Sequence, residues 1–274
     1  MHSNRSPISG ECWIGTSGLV LPVSTKAAFP AAFRDQPRLA YYAALFNSLE
    51  VNSSFYRTPM AATFEKWASI VPDHFQFTVK LSRDITHAKD FAYDPKGIDV
   101  FIKAANHIGA KKGCLLIQFP PGLRRNETTI LQLQELLHQV WESDPEHAWK
   151  WAVEFRHPSW YHDVVYRLLD KCGASLVLHD MPASAIAVPP SVFAALPSAI
   201  SGPTSNPGFI YIRFHGPLGD YRGGYSPEIL QSYATSIRAW QAQGKDIYVY
   251  FNNTIGDAVA NALSLMEMVS PVCK

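Results

Sequence analysis

The sequence lacks the features that identify several common classes of protein. Its 24 Lys and Arg nearly balance 23 Asp and Glu, giving a net charge of +1. Such a chain has no general basic field for a polyanion, so a dedicated nucleic-acid coat is not expected and nucleic acid would need a local basic pocket. Its four cysteines are far apart and form no Cys-x-x-Cys pair, which argues against a zinc ribbon and a dense disulfide framework.

Long apolar runs are also missing. No stretch reaches the roughly 18 uninterrupted apolar residues of a membrane-spanning helix. The first residues, MHSNRSPISGE, lack the apolar centre of a secretion signal. These absences predict a soluble, cytoplasmic protein with reduced thiols and no membrane partner, and they leave its oligomeric state open.

What the sequence does have is a regular alternation of two patterns. Hydrophobic residues make up 47% of the chain and charged residues 17%, which predicts a buried core. Short segments rich in β-branched and aromatic residues predict strands. Between them, apolar residues three and four positions apart predict helices. The predicted strands are eight segments: 12–17, 47–52, 75–81, 114–119, 151–156, 175–180, 209–215 and 247–252.

This alternation predicts one α/β domain over residues 1–274, with residues 1–10 as a flexible tail. The strands begin about 34 residues apart, close to the spacing of a (β/α)8 barrel of roughly 250 residues. No Gly-x-Gly-x-x-Gly follows the first strand, which argues against an open dinucleotide-binding sheet. We therefore expect a closed, TIM-like (β/α)8 barrel. The six prolines between 181 and 208 predict an irregular segment after strand 6.

Side-chain alternation selects the residues of a candidate site. In such barrels the site lies at the carboxyl ends of the strands, and successive side chains of a strand point to opposite faces. On strand 6 the alternation leaves His179 and Asp180 as alternatives. The polar residues predicted to point inward at the other strand ends are Glu50, Asn52, Lys80, Gln118, Glu154, Arg156, Arg213, His215 and Asn252.

The charges of this set favour a small anionic substrate. Glu50, Glu154 and Asp180 supply three negative charges, and Lys80, Arg156 and Arg213 supply three positive ones. Three nearby cations oppose a multi-metal centre, whereas they suit an anion held for acid/base chemistry. No cofactor is predicted. One divalent metal bound by the carboxylates and a histidine stays open as an alternative.

The loop after strand 7 predicts an additional anion-binding element. It carries Arg222 among Gly216, Gly219, Gly223 and Gly224. Ser226 and Pro227 have the pattern of an N-cap and a first helical residue. A flexible backbone beside a helix N-terminus can cradle a phosphate. Asn253, in the loop after strand 8, is expected beside it.

Six segments of the sequence resemble the YecE-like family, domain of unknown function 72. They are LEVNSSFYRTP, FEKWASIVPDHFQFTVKLSRDITH, LLIQFPP, VEFRHPSWY, YIRFHGP and YVYFNNTIGDAVANAL. The resemblance implies a TIM-barrel-like fold and no established reaction. It also draws attention to Tyr56, Thr86, His87 and Asn253. Leu19, where the family has an aromatic residue, and the proline-rich segment depart from the pattern.

Three functions remain open at this point. The first is an enzyme acting on a phosphorylated or carboxylated, sugar-like substrate. Its candidate catalytic residues are Glu50, Glu154, Asp180, His87 and His215. We expect the two histidines to carry protons, because histidine titrates near neutral pH, with His87 on a loop that closes over the site. The others are a metal-dependent phosphodiester hydrolase, acting on nucleic acid among other substrates, and a non-catalytic ligand-binding protein.

Overall fold

The computed structural model describes residues 9–181 and 208–270. The predicted proline-rich segment lies almost entirely outside this part of the chain, as does most of the predicted N-terminal tail. Gly10, assigned to that tail, is buried and its amide donates to the carbonyl of Gln241 at 2.9 Å. The chain is therefore packed against the fold from Gly10 onward, earlier than the sequence predicts.

Parallel strands form the centre of the fold. One sheet has the order β1 (Cys12–Thr16), β10 (Asp246–Phe251), β8 (Phe209–Phe214) and β7 (Leu178–His179). The other has the order β2 (Ser48–Val51), β3 (Gln76–Lys80), β4 (Lys112–Gln118), β5 (Lys150–Glu154) and β6 (Ser175–Leu176). Two short strands, β9 (Arg222–Gly223) and β11 (Ile255–Gly256), pair separately.

Helices connect the strands. They are α1 (Arg38–Leu45), α2 (Ser53–Tyr56), α3 (Ala61–Ile70), α4 (Arg83–Thr86), α5 (Pro95–Ala105), α6 (Glu127–Ser143), α7 (Asp163–Lys171), α8 (Pro227–Gln241) and α9 (Ala258–Val269). Short 3-10 turns span Lys26–Ala28, Ala31–Phe33, Lys89–Phe91, Asn106–Lys111 and Pro158–Trp160. Within the described ranges, no helix combines the length and apolar character needed to cross a bilayer.

The two sheets meet at two junctions. The sixth predicted strand is divided, because β6 pairs with β5 and β7 pairs with β8. Beyond β1, Ser17 forms an isolated parallel bridge with Glu50, and the amide of Gly18 donates to the Glu50 carbonyl at 2.7 Å. The described strands thus form sheets of four and five members, rather than the single eight-stranded ladder that the sequence predicts.

Side-chain alternation produces two separate cores. Phe77, Val79 and Val153 belong to the larger core. Alternate positions on the strands form a smaller aromatic cluster that includes Tyr211 and Tyr250. Lys80 and Arg213 share the parity of the smaller cluster, so the inward direction predicted for them agrees with the packing. The same alternation places His179 two residues after Val177 on the inner side, with Asp180 just beyond the strand end.

Gly15 generates a stability prediction at the junction between β1 and β2. A Cβ at this position would lie 2.0 Å from the Ser48 carbonyl oxygen. We expect Gly15→Ala to lower the free energy of unfolding by about 1–3 kcal/mol, the usual cost of overpacking a core. Urea denaturation measures the loss. Gly122→Ala is the control, because nothing lies within 4 Å of its added Cβ; equal stability in the two variants would contradict the prediction.

Candidate functional site

Two adjoining cavities lie at the carboxyl ends of the strands. Their volumes are about 190 and 430 Å³. The residues that line both are Phe55, Lys80, Gln118, Arg156 and Tyr221. A wider groove of about 990 Å³ runs along α6 and α7 on the outside of the fold, and none of the predicted site residues lines it. The polar residues therefore identify the candidate site better than cavity size does.

Arg213 lies between two buried glutamates beneath the cavities. Its Nη2 donates to Glu50 Oε1 and its Nη1 to Glu154 Oε2, both at 2.7 Å. Both glutamates have 0% exposure and Arg213 has 1%. The remaining carboxylate oxygens are also used, because Tyr211 donates to Glu50 Oε2 at 2.5 Å and Arg156 Nε donates to Glu154 Oε1. Every oxygen of the two carboxylates thus accepts a hydrogen bond.

This cluster does not favour the catalytic roles predicted for Glu50 and Glu154. Burial raises the pKa of Glu154, but Arg156 and Arg213 outweigh that effect and hold the pKa well below its usual value. Glu154 is therefore ionised and weakly basic. Because both glutamates are inaccessible and fully paired, they form a structural ion cluster with Arg213 rather than a pair of free catalytic bases.

The same geometry opposes the metal site considered as an alternative. A guanidinium occupies the space between the two carboxylates, where it already satisfies their charge. Across residues 9–181 and 208–270, no group of three or more His, Cys, Asp or Glu side chains is placed to hold a metal ion. The residues present here do not fit a carboxylate–histidine metal centre.

His215 is held in one neutral form between Asp180 and Arg156. Its Nε2 lies 3.0 Å from Arg156 Nη2, which can only donate, and its Nδ1 lies 3.3 Å from Asp180 Oδ1. The proton is therefore on Nδ1. Burial lowers the pKa of His215 to about 4, against the opposing effect of Asp180. Because His215 is 0% exposed and Arg156 occupies its Nε2, the geometry does not favour the predicted role as a proton carrier.

Asp180 contacts His215 and Tyr225 and does not face the cavities. Its Oδ1 accepts from the amide of His215 at 2.8 Å, and its Oδ2 accepts from the hydroxyl of Tyr225. Asp180 lines neither cavity among the described residues. It orients His215 and joins the end of β7 to the loop after β8.

His87 lies at the end of α4 and lines the larger cavity. Its Nδ1 lies 2.9 Å from the hydroxyl of Thr86, and its ring meets Phe55 edge-on at 4.9 Å. Burial and then the charge of Lys80 lower the pKa of His87 to about 4. His87 is therefore a neutral imidazole facing the cavity that Arg156 and His179 also line, whereas His215 lines neither cavity.

Lys80 extends between the two cavities from the end of β3. Its Nζ donates to Gln118 Oε1 at 2.8 Å and lies 4.0 Å from the centre of the Phe55 ring. Burial and then the charge of Arg213 lower its pKa to about 8. The side chain is thus an ammonium group that loses its proton near neutral pH.

The remaining predicted ligand-binding residues divide into two groups. Asn52, Tyr56 and Asn252 line the smaller cavity, as expected. Asn253 is buried and instead donates to the carbonyl of Gly223 at 2.9 Å. Arg222 is exposed in β9 and pairs with β11. Neither Asn253 nor Arg222 is among the residues lining the two cavities.

Close backbone packing accounts for two glycines at this end of the fold, Gly216 in the loop after β8 and Gly256 in β11. Gly216 has φ +96°, and a Cβ on it would lie 2.2 Å from the Arg222 carbonyl oxygen. A Cβ on Gly256 would lie 2.3 Å from the Gly223 carbonyl oxygen. The predicted helix start is confirmed, because Ser226 caps α8 and Pro227 is its first residue. It begins an ordinary capped helix.

Several residues of the site were not selected from the sequence. Tyr221 lines both cavities, and its backbone has a positive φ of 67°. It lies in a loop, where no hydrophobic periodicity in the sequence indicates the direction of a side chain. Tyr225 is another loop residue. Tyr211 could have been found, because it lies two positions before Arg213 on the same strand face. Phe55, between Asn52 and Tyr56, also escaped selection.

Fold and site together define an α/β protein with parallel sheets and a polar cavity at the strand ends. Residues 13–273 match the model of the family described as Protein of unknown function DUF72. The chain belongs to this family, which confirms the resemblance to the YecE-like family.

Individual relatives agree with this assignment. The UPF0759 protein YunF of Bacillus subtilis is 26% identical over 264 residues, covering 88% of this chain and 89% of YunF. The crystal structure of a DUF72 family protein from Enterococcus faecalis has a TM-score of 0.74 at 18% identity, covering 96% of this chain and 97% of that one.

Similarity of fold extends to barrel enzymes outside the family. D-allulose 3-epimerase from Methylomonas sp., crystallised in complex with D-allulose, has a TM-score of 0.56 at 13% identity. The alignment covers 98% of this chain and 100% of that one. At this identity the likeness concerns the fold.

Arg213 generates a stability prediction. Arg213→Met leaves the buried Glu50 without a cation and removes one of the two cations paired with Glu154, so we expect a loss of about 3–5 kcal/mol in the free energy of unfolding by urea denaturation. Arg213→Lys should recover part of the loss, because lysine keeps the charge without the forked geometry. Arg222→Met, at an exposed position, should change stability by less than about 0.5 kcal/mol. A similar small change at Arg213 would refute the structural role of the cluster.

His215 generates a prediction about pH. Its pKa is lowered from 6.5 to about 4, so between these values the unfolded chain takes up a proton that the folded chain does not. Stability therefore falls as the pH drops. We expect His215→Gln to remove on the order of 1–2 kcal/mol of the wild-type loss between pH 7 and pH 5. The exposed His138 provides the control variant His138→Gln, which should keep the wild-type pH dependence.

Proposed function

We propose that this protein is an enzyme that acts by acid/base chemistry on a small anionic, sugar-like substrate bound in the two cavities. The observation that carries the proposal is a layering of charge. The carboxylates of Glu50 and Glu154 are fully buried beneath the cavities, whereas Lys80 and Arg156 line them. A ligand entering from the mouth therefore meets cationic donors before it meets any carboxylate of the cluster.

The anion subsite consists chiefly of Lys80 and Arg156. Arg213 was expected to belong to it, but two glutamates already balance its charge. Arg156 shares Glu154 with Arg213, and Lys80 has an uncharged amide as its partner. These two side chains thus retain the capacity to bind a phosphate or carboxylate group.

Two unsatisfied polar atoms support a hydroxylated ligand. Asn52 Oδ1 and Arg213 Nε are buried and form no hydrogen bond with the described residues, and both side chains line the smaller cavity. One is an acceptor and the other a donor, and leaving either unpaired is costly. A sugar hydroxyl can both donate and accept, so it can satisfy these atoms.

His87 and Lys80 are the proposed proton-transfer groups. Both line the larger cavity, and each is in reach of a bound molecule without breaking the buried cluster. His87 is neutral and can accept a proton through its Nε2, because its Nδ1 is held by Thr86. Lys80, with its pKa lowered to about 8, can donate one.

The closed barrel is part of the same proposal. The junctions β5–β6–β7–β8 and Ser17–Glu50 support a continuous ring of strands around the site. The fold neighbour crystallised with D-allulose is an analogy that raises the expectation of a sugar-like substrate, since ligands of such folds bind at the carboxyl ends of the strands.

The proposal predicts binding and proton exchange. Ribulose 5-phosphate and fructose 6-phosphate should bind in isothermal titration calorimetry, and neutral fructose should bind more weakly. Arg156→Met should raise Kd for the phosphates about tenfold, corresponding to the loss of one charge-assisted contact. Arg222→Met is the matched control, because Arg222 lies outside the cavities, and it should leave Kd unchanged.

Proton exchange separates an enzyme from a ligand-binding protein. In D2O, an enzyme of this kind should exchange the C–H bond next to the carbonyl of a bound sugar phosphate, detected by NMR. His87→Gln should slow exchange by about 100-fold or more, the usual contribution of a general base, while binding persists. Binding without exchange for any tested carbonyl compound would favour a ligand-binding protein, and absence of anion binding would refute the proposal.

A further inference from the structure

The surroundings of Lys80 differ from those of Lys112, which is equally buried, and of the partly buried Lys150. Lys112 has the same exposure of 9%, and its Nζ pairs with Glu146 at 2.6 Å. Lys150 pairs with Asp246, also at 2.6 Å. Among the described residues, no carboxylate oxygen lies within 4.0 Å of the Lys80 Nζ, the distance limit of an ion pair. The Nζ instead contacts the Gln118 amide and the face of the Phe55 ring. Lys245 is also buried without an ion pair among the described residues, but it lines neither cavity, whereas Lys80 lines both.

The neighbours of Lys80 favour its neutral amine. It is buried and shares a cavity with the guanidinium groups of Arg156 and Arg213. With its pKa lowered to about 8, about a tenth of Lys80 is unprotonated at pH 7, against less than about one part in a thousand for a lysine in water. Only the unprotonated form is a nucleophile.

The cavities supply the other parts of a carbonyl reaction. Lys80 lines both cavities and can therefore approach a molecule held in either. Arg156, which lines both as well, provides a guanidinium for an anionic group on that molecule. The Phe55 ring contacts both Lys80 and His87, and all three residues line the larger cavity, so a neutral imidazole is available beside the amine.

We infer that Lys80 forms a Schiff base with the carbonyl carbon of a small anionic aldehyde or ketone. The inference rests on the proposed function and names its substrate class. The nitrogen lone pair attacks the carbonyl carbon, a C–N bond forms, and a proton moves from nitrogen to oxygen to give the carbinolamine. A proton from solvent is then added to its hydroxyl group, the C–O bond breaks to release water, and a C=N iminium remains. His87 relays the proton between nitrogen and oxygen, and no oxidant or reductant is consumed.

Reductive trapping tests this inference on the full chain. The protein is incubated at pH 7 with glyoxylate, which is both an aldehyde and a carboxylate, and with cyanoborohydride, which reduces the C=N bond to a stable carboxymethyl amine. Peptide mass spectrometry then gives the rate at each lysine. We expect Lys80 to be modified at least tenfold faster than the exposed Lys96, and the ion-paired Lys112 to show no such acceleration.

Gln118→Glu provides a matched variant that retains the lysine. It replaces the amide oxygen 2.8 Å from Nζ with a carboxylate of the same shape, which stabilises the ammonium form. Modification of Lys80 at pH 7 should fall about tenfold or more, in proportion to the loss of neutral amine, whereas modification of Lys96 should not change. Lys80→Arg should remove the modification at this site while retaining a positive charge.

The outcomes separate this inference from the proposed function. Phosphate binding measured by calorimetry, together with slow modification of Lys80 at the rate of Lys96, would overturn the Schiff base and leave the acid/base enzyme intact. Failure to bind any anion would overturn the proposed function. Rapid trapping at Lys80 that Gln118→Glu does not reduce would also overturn the inference. In that case the reactivity of Lys80 would not depend on its uncharged amide partner.

Discussion

The site depends on one arginine that bridges two buried carboxylates. Arg213 joins Glu50 on β2 to Glu154 on β5, and these strands lie on the opposite sheet from β8. Isolated ionised groups cannot be buried without a large cost, so the three charges require one another. Their pairing fixes the ends of three strands relative to each other. Tyr211 and Arg156 complete the hydrogen bonds and connect this cluster to the aromatic interior below and the cavities above.

The cluster also determines how the other ionisable groups behave. Because the glutamates are committed to Arg213 and Arg156, they cannot pair with Lys80, whose partners are an amide and an aromatic ring. Arg156 in turn donates to the Nε2 of His215, and burial keeps that histidine neutral. Glu50, Glu154 and Arg213 thus form a buried ion cluster beneath the cavities, and the groups able to exchange protons with a ligand lie above it.

The sequence predicted the parallel α/β architecture and the direction of the strand residues, because both follow from periodicity. Alternation placed Lys80, Gln118 and Arg213 at the strand ends, as observed. It could not reveal that Arg213 and the glutamates satisfy each other, since parity gives the side of a sheet and not the partner across it. Loop residues were harder still. Arg222 belongs to a short strand outside the cavities, whereas the adjacent Tyr221 lines them. Nothing in the sequence pattern indicates which of these two neighbours faces the site.

The pairing of β9 with β11 has a mechanical consequence for the rim of the site. The carbonyl of Tyr221 accepts from the amide of Ile255 at 3.1 Å, and the carbonyl of Gly223 accepts from that of Asp257 at the same distance. Asp257 immediately precedes α9. Tyr221 is therefore coupled through the backbone to the start of α9. A displacement of Tyr221 away from the cavities requires both loops and the first turn of α9 to move with it.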